Sequence, residues 1–240
     1  MMPAASGFVT AGFVMLPLLV AAGFVLACDW AGRRLGHDET VRRRRLVAVT
    51  IAVIAWLVVS ALLATSGLLR RFDLTPPPFV LIPLAVTALG IAIPMSPLGT
   101  LLVRGVPLWA LVGSQVFRFP LELVMHQAAV EGVMPEQMSY AGWNFDIVTG
   151  ITAGALGLWL AFGSPPRWVV TAWNALGFAL LLNVVTIALV STPIFRWFGD
   201  AKLSSFLTYA PFVWLPAILV TAALMSHILV WRSLSAPRHP

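Results

Sequence analysis

Seven apolar stretches alternate with short polar segments along the chain. Such stretches predict transmembrane α-helices, because a helix rises about 1.5 Å per residue and roughly 20 residues cross the hydrocarbon core. We therefore expect one integral membrane domain over residues 1–240, an all-α polytopic helical bundle with about seven spans. The predicted spans are 7–27, 46–69, 79–94, 107–129, 145–162, 168–190 and 212–231. Segment 95–106 contains two helix breakers and one arginine, and is expected to form a surface turn or a short interfacial helix.

Composition and charge agree with this class. Hydrophobic residues make up 60% of the chain and charged residues 10%, whereas soluble domains have about 25% charged residues. The net charge of +6 does not indicate nucleic acid binding, because the basic residues lie in loops between spans. Ten of them fall on the side of the long loop 28–45, four on the other side, and Arg118 within a span. This bias predicts an outside N-terminus and a cytoplasmic C-terminus.

The fourth span carries a polar stripe. Gln115, Arg118, Glu122 and His126 fall within about 80° of one another at 100° per residue, so they share one face of the helix. Charged side chains are expensive in a bilayer, so the stripe should face protein or water and meet polar partners. Arg118 and Glu122 are one turn apart, and an ion pair between them is geometrically available. The stripe is either a packing device or a binding site.

Polar residues near the other spans supply candidate partners for the stripe. Asn144 and Asp146 stand at the start of the fifth span and are predicted to cap its helix, with Asp146 accepting backbone N–H bonds. Alternatively Asp146, with Tyr140 and Trp143, roofs an outward-facing pocket over His126 and Glu122; both interpretations can hold. The sixth span carries Asn174 and Asn183, which lie nine residues apart on opposite faces, so only one of them can enter a given cavity.

Several cofactor classes are excluded by spacing and counts. His126 is expected near the outer surface and His227 near the inner end of the seventh span, so they cannot share a haem or a zinc ion. Lys202 is the one lysine and lies in a loop, which excludes an intramembrane retinal Schiff base. Cys28 stands alone, so no intramolecular disulfide forms. We predict no cofactor, no metal and no catalytic set.

Five segments resemble a family of uncharacterised small multi-pass bacterial membrane proteins. They read QVFRFPLELVMH, MSYAGWNFDIVTGITA, WNALGFALLLNVV, STPIF and PFVWLPAILVTAALMSH, in order over about half of the chain. The family pattern has Q-x-F-R-x-x-x-E, then M-[ST]-[FY]-x-G-R-N-F-D-I, then F-x-W-L-P ending in a histidine. Trp143 stands where that pattern has arginine. The resemblance implies a bacterial inner membrane and brings no activity. The matching positions are Gln115, Arg118, Glu122, Gly142, Asn144, Phe145, Asp146, Trp214, Pro216 and His227.

The sequence is compatible with three functions. The leading hypothesis is an intramembrane polar site that binds or translocates a small polar solute or protons. A structural or accessory subunit of a membrane complex is the second, in which the stripe contacts a membrane-protein partner or another copy. An intramembrane lipid-modifying enzyme is the third, and it is disfavoured because no nucleophile and base lie at one depth. The predicted binding residues are Gln115, Arg118, Glu122, His126, Asn144, Asp146, Asn174 and His227.

Overall fold

A computed structural model of the chain describes residues 5–235, and all regular secondary structure in that range is helical. Within it, nine α-helices follow one another: α1 Gly7–Arg34, α2 Glu39–Thr65, α3 Leu81–Met95, α4 Pro97–Gly105, α5 Leu108–Gly113, α6 Arg118–Val130, α7 Ile147–Phe162, α8 Arg167–Val190 and α9 Thr221–Ser235. A 3₁₀ turn precedes α3 at Pro78–Val80, another joins α5 to α6 at Ser114–Phe117, and a π-helix at Leu215–Val220 runs into α9.

The predicted all-helical bundle is confirmed, and its helices are roughly consistent with about seven spans. Six helical stretches are long and apolar enough to cross a membrane, and α7 is a shorter apolar helix of 16 residues. The largest boundary differences are at α1 and α2, which continue into the predicted basic loop. There Asp38 caps α2 by accepting a 2.8 Å bond from the Thr40 N–H, which satisfies an orphan donor of the first turn. The orientation of the termini stays a prediction.

Segment 95–106 forms the helix α4 rather than an exposed turn. Ser96 caps it by accepting a bond from the Leu98 N–H at 3.1 Å. Leu101 and Leu102 are buried, and Gly105 lies so close to Ala31 of α1 that a Cβ there would clash with its backbone. Of the two predicted alternatives the short helix is right, but its apolar side packs inside the bundle.

The fourth and seventh spans form the interior of the bundle. Of their most apolar 18-residue windows, 44% and 56% of residues are buried, against 17% for the second span. α6 packs against α1 and α7, α5 packs against α7 and α9, and both α3 and α8 pack against α9. Side chains that point inward from the fourth and seventh spans therefore meet each other at the centre.

Two prolines interrupt these central spans. Pro120 lacks an N–H, and the chain just before it winds as a 3₁₀ turn at Ser114–Phe117. Pro216 lies in the π-helix Leu215–Val220, where its missing N–H interrupts the regular helical ladder. Trp56 of α2 donates its indole N–H to the Ala217 carbonyl within this π-helix, at 2.9 Å. Carbonyl groups left by irregular helix are thus partnered by a neighbouring span.

Candidate functional site

Arg118, the largest side chain with essentially no exposure, lies at the middle of the 23-residue fourth span. Its Nε donates to Asp146 Oδ2 and its Nη2 lies in ion-pair contact with Asp146 Oδ1, so one carboxylate contacts the guanidinium at two points. Its Nη1 lies 2.9 Å from His227 Nε2. A bidentate arginine–carboxylate pair is the strongest common arrangement for a buried charge. The pair joins α6 to the start of α7.

His227 continues this network towards α8. An arginine can only donate, so His227 Nε2 accepts from Arg118 and carries no proton. The proton is therefore on Nδ1, which lies 2.9 Å from Asn174 Oδ1 and donates to it. Asn174 Nδ2 in turn donates to the His227 carbonyl at 3.1 Å. We call these four residues, Asp146, Arg118, His227 and Asn174, the Arg118 network; in it His227 is neutral.

Glu122 lies one turn along α6 from Arg118 and is equally buried, but its surroundings are different. Both carboxylate oxygens accept from the same atom, Asn144 Nδ2, at 2.8 and 2.9 Å. That nitrogen also donates to the Met138 carbonyl at 2.9 Å. Across residues 5–235 no cation lies within ion-pair distance of Glu122. The Glu122 carboxylate is therefore held by a single neutral donor.

A cavity of about 140 Å³ opens beside this carboxylate. α3, α6, α8 and the seventh span form its walls, and almost all of the lining is apolar. The ionisable groups that reach it are Arg118, Glu122 and Asp146. Asp146 already contacts Arg118 with both oxygens and also accepts from Thr149 Oγ1 at 3.3 Å. Glu122 is therefore the carboxylate whose oxygens can accept a further hydrogen-bond donor. We call this space the Glu122 cavity.

A second, smaller cavity of about 100 Å³ lies at the other end of the Arg118 network. Its described lining includes Asn174 together with Arg167 and Thr171 from the start of α8 and Ser235 from the end of α9. Asn174 thus touches this cavity while Arg118 and Asp146 touch the first. This second space is a cleft at the protein surface rather than in the interior, because Arg167, Thr171 and Ser235 are exposed.

The formal charges of the site do not balance. Arg118 carries one positive charge, Asp146 and Glu122 carry one negative charge each, and the hydrogen bonds of His227 require it to be neutral. The cluster therefore bears one uncompensated negative charge when Glu122 is ionised. An unpaired charge in a low-dielectric interior is costly, and such a group either takes up a proton or binds a cation.

The remaining predicted site residues fall in different places. Gln115 is buried and donates from Nε2 to the Ala223 carbonyl at 3.0 Å, while its Oε1 has no partner among the described residues. His126 stacks on Tyr140 with ring centroids 4.4 Å apart and is not part of the cavity lining. Asn183 points away, donating to the Trp143 carbonyl at 2.7 Å. Of the two asparagines in α8, only Asn174 enters the site.

Three expectations are corrected by the contacts. Arg118 does not pair with Glu122, because Asp146 on α7 offers two oxygens in bidentate geometry. Asp146 stands at the N-cap position of α7 but caps no backbone N–H, because its oxygens are occupied by Arg118 and Thr149. The backbone bond at that helix start comes from Asn144 Oδ1, which accepts from the Asp146 N–H at 3.0 Å.

The third correction concerns His227, which is at the depth of Arg118 rather than at the inner end of its span. Sequence reasoning also missed the glycines that allow the close packing of the network. A Cβ on Gly150 of α7 would lie 2.9 Å from the Arg118 carbonyl carbon and closer still to the Phe119 nitrogen. A Cβ on Gly177 of α8 would lie 2.7 Å from His227 Cε1. Small residues at helical spacing in α7 were the available signal.

Comparison of the chain with protein-family models, with curated proteins and with solved structures finds no match. The resemblance to the bacterial family therefore stays a prediction, and the functional argument depends on the geometry of this chain.

Proposed function

We propose that this integral membrane protein binds a proton or a small positively charged solute at Glu122, within the bilayer, as a step in moving that species. The observation that carries the proposal is the imbalance of charge. Glu122 is buried, faces a cavity and is held by one neutral amide donor, while the neighbouring Asp146 is already neutralised by Arg118. A single added positive charge completes the site.

Two further features favour movement over static binding. The Glu122 cavity reaches the Arg118 network from one side, and the smaller cavity reaches it from Asn174 on the other. The span that carries Pro216 lines the first cavity through its π-helix, and irregular helix at membrane depth is typical of sites where transported species bind. A site between two spaces can exchange its occupant with either when the network shifts.

The alternative of an accessory subunit is weakened by burial. Gln115, Arg118 and Glu122 are 0–1% exposed within the single chain, so the polar stripe does not need a partner chain to cover it. The resemblance supports a bacterial inner membrane as the location. The distribution of basic residues supports an outside N-terminus and a cytoplasmic C-terminus.

Infrared spectroscopy of the purified protein over a pH series tests the proposal directly. A protonated carboxylic acid has a carbonyl stretch that the ionised form lacks. Every Asp and Glu side chain gains such a band in acid, so proton uptake by Glu122 is the component of this absorption that Glu122→Gln loses. We expect this band in wild type and in the matched control Glu136→Gln, which changes an exposed carboxylate. Glu122→Gln should lack it, because an amide does not titrate.

The infrared comparison of wild type with Glu122→Gln has two decisive outcomes. If the band is present in wild type and absent in Glu122→Gln, Glu122 takes up the missing charge as a proton. If Glu122→Gln shows the same titrating bands as wild type, Glu122 takes up no proton. If adding a small cation such as butylammonium at neutral pH also leaves the wild-type infrared spectrum unchanged, the site is complete without an added charge. The proposal is then wrong.

A further inference from the structure

Beyond a bare proton, the shape and lining of the Glu122 cavity select a class of ligand. We infer that its occupant is an amphipathic amine, whose ammonium group pairs with Glu122 and whose apolar chain lies between α3 and α8 and reaches the lipid. This inference rests on the proposed function, because it names the chemistry of the positive charge that the site takes up.

The head-group end of the cavity is defined by Glu122. Its carboxylate has two oxygens that share one donor from Asn144, so lone pairs remain for further N–H groups. Arg118 also lines the cavity, but its guanidinium is committed to Asp146 and His227. An anionic head group would meet a second negative charge at Glu122, whereas an ammonium group donates to it and balances it.

The rest of the cavity is suited to hydrocarbon. Its wall on α3 includes Ile82, Pro83 and Val86, and its wall on α8 includes Val184 and Val185. One polar residue on these walls, Thr87, donates its hydroxyl to the Pro83 carbonyl of its own helix at 2.8 Å and so has no free proton for a ligand. A small polar solute would find few partners here beyond Glu122, and an alkyl chain would be buried favourably.

The opening of the cavity lies within the spans rather than at a loop. Thr87 is exposed, and Pro83, Val184 and Val185 are half-buried, although all four line the cavity. α3 and α8 both pack against the seventh span. Because these residues lie in helical stretches that cross the membrane, the gap between α3 and α8 leads from the cavity to the lipid acyl chains.

Thermal unfolding with a series of probes tests this assignment. The probes are butylamine, octylamine and octanol, added to the purified full-length protein. Octylamine should raise the wild-type Tm by about 3 °C at roughly tenfold excess over its Kd, butylamine by less, and octanol by little because it lacks the charge. Glu122→Gln should lose the octylamine effect, and Glu136→Gln should keep it.

Two neighbouring variants on α3 test where the chain lies. Thr87→Trp fills the opening, whereas Ala88→Trp places the same indole on an exposed position that does not line the cavity. We expect the octylamine shift to be lost in Thr87→Trp and kept in Ala88→Trp. An equal shift in both would overturn the placement of the chain between α3 and α8.

The ligand class and the proposed function can fail separately. If octylamine stabilises wild type and Glu122→Gln equally, or no more than octanol does, the amine assignment is wrong. A titrating infrared band from Glu122 would in that case still support proton uptake at the same residue. If the band and the amine effect are both missing, the proposed function falls with the ligand class.

Discussion

The two ends of the polar cluster are equally buried, but they are bonded in opposite ways. In the Arg118 network every charge has a partner on another helix: Asp146 at the start of α7 and His227 from α9 meet at one guanidinium. Asn174 from α8 bonds His227 in turn. One turn along α6, Glu122 has a single amide and an open cavity. Burial by itself therefore does not distinguish the two ends of the cluster, whereas the completeness of their pairing does.

This difference in bonding predicts different effects of the two ends on the stability of the protein. A fully bonded ion pair between helices holds the bundle in one arrangement, and removal of one partner leaves the other charge buried alone. A buried carboxylate that lacks a cation lowers the stability of the ligand-free protein, and binding of a positive charge should restore that stability. Changes in the Arg118 network should thus alter the stability of the fold, and changes at Glu122 should alter the binding of a positive charge in the Glu122 cavity.

The largest effect is expected from Arg118→Ala. It leaves Asp146 ionised and unpaired beside Glu122 and removes the donor to His227, so we expect a loss of about 3–5 kcal/mol in the free energy of unfolding. Denaturant titration in mild detergent measures it. The double variant Arg118→Gln with Asp146→Asn removes both charges together and should recover a large part of the loss. If both variants are as stable as wild type, the network does not hold the fold.

A smaller effect is expected when α7 is pushed away from α6. Gly150→Ala places a methyl group against the backbone at Arg118 and Phe119, which should cost about 1–3 kcal/mol by overpacking. Gly154→Ala, one turn further along α7, meets only the Val116 side chain at an ordinary 3.6 Å and is the control. Comparison of the two unfolding midpoints measures the difference, and equal midpoints would show that α6 and α7 can separate without penalty.

The architecture could be predicted from the sequence because hydrophobic length is a local property. Each predicted span overlaps a helical stretch, and the stripe of Gln115, Arg118 and Glu122 faces inward as expected. The pairing could not be predicted. Asp146 reads as a cap from its place before an apolar run, and only the approach of α7 to α6 at Gly150 brings it to Arg118. Partner choice between helices depends on packing that no local pattern contains.

The predicted depth of His227, near the inner end of the seventh span, was wrong for a related reason. A residue count from the end of an apolar run assumes a regular helix whose ends match the bilayer surfaces. The seventh span instead begins with a π-helix and continues to Ser235. Its histidine therefore lies level with the middle of the fourth span. The prediction that Asn174 and Asn183 lie on opposite faces of α8 was correct, because the faces of a single regular helix follow from residue spacing alone.

The smallest effect, and the most informative in sign, is expected from removing the charge of Glu122. Glu131, just after the same helix α6, serves as the control because it also accepts two bonds, from the Ser6 N–H at 2.8 Å and from Gln127 Nε2 at 2.9 Å. These bonds hold the pKa of Glu131 below its ordinary value. The ionised form therefore stabilises the fold above the ordinary pKa, and this contribution disappears as the pH falls through the lowered value.

At neutral pH and without ligand, Glu131→Gln should thus be slightly less stable than wild type, and the difference should vanish in acid. Glu122→Gln should be as stable as wild type or more stable, because an amide keeps the shape and removes the unpaired charge. Thermal unfolding of both variants at neutral and acid pH measures the two signs. A clear loss of stability in Glu122→Gln at neutral pH would mean that the Glu122 charge is already compensated in the empty protein, and the contrast between the two ends of the cluster would no longer hold.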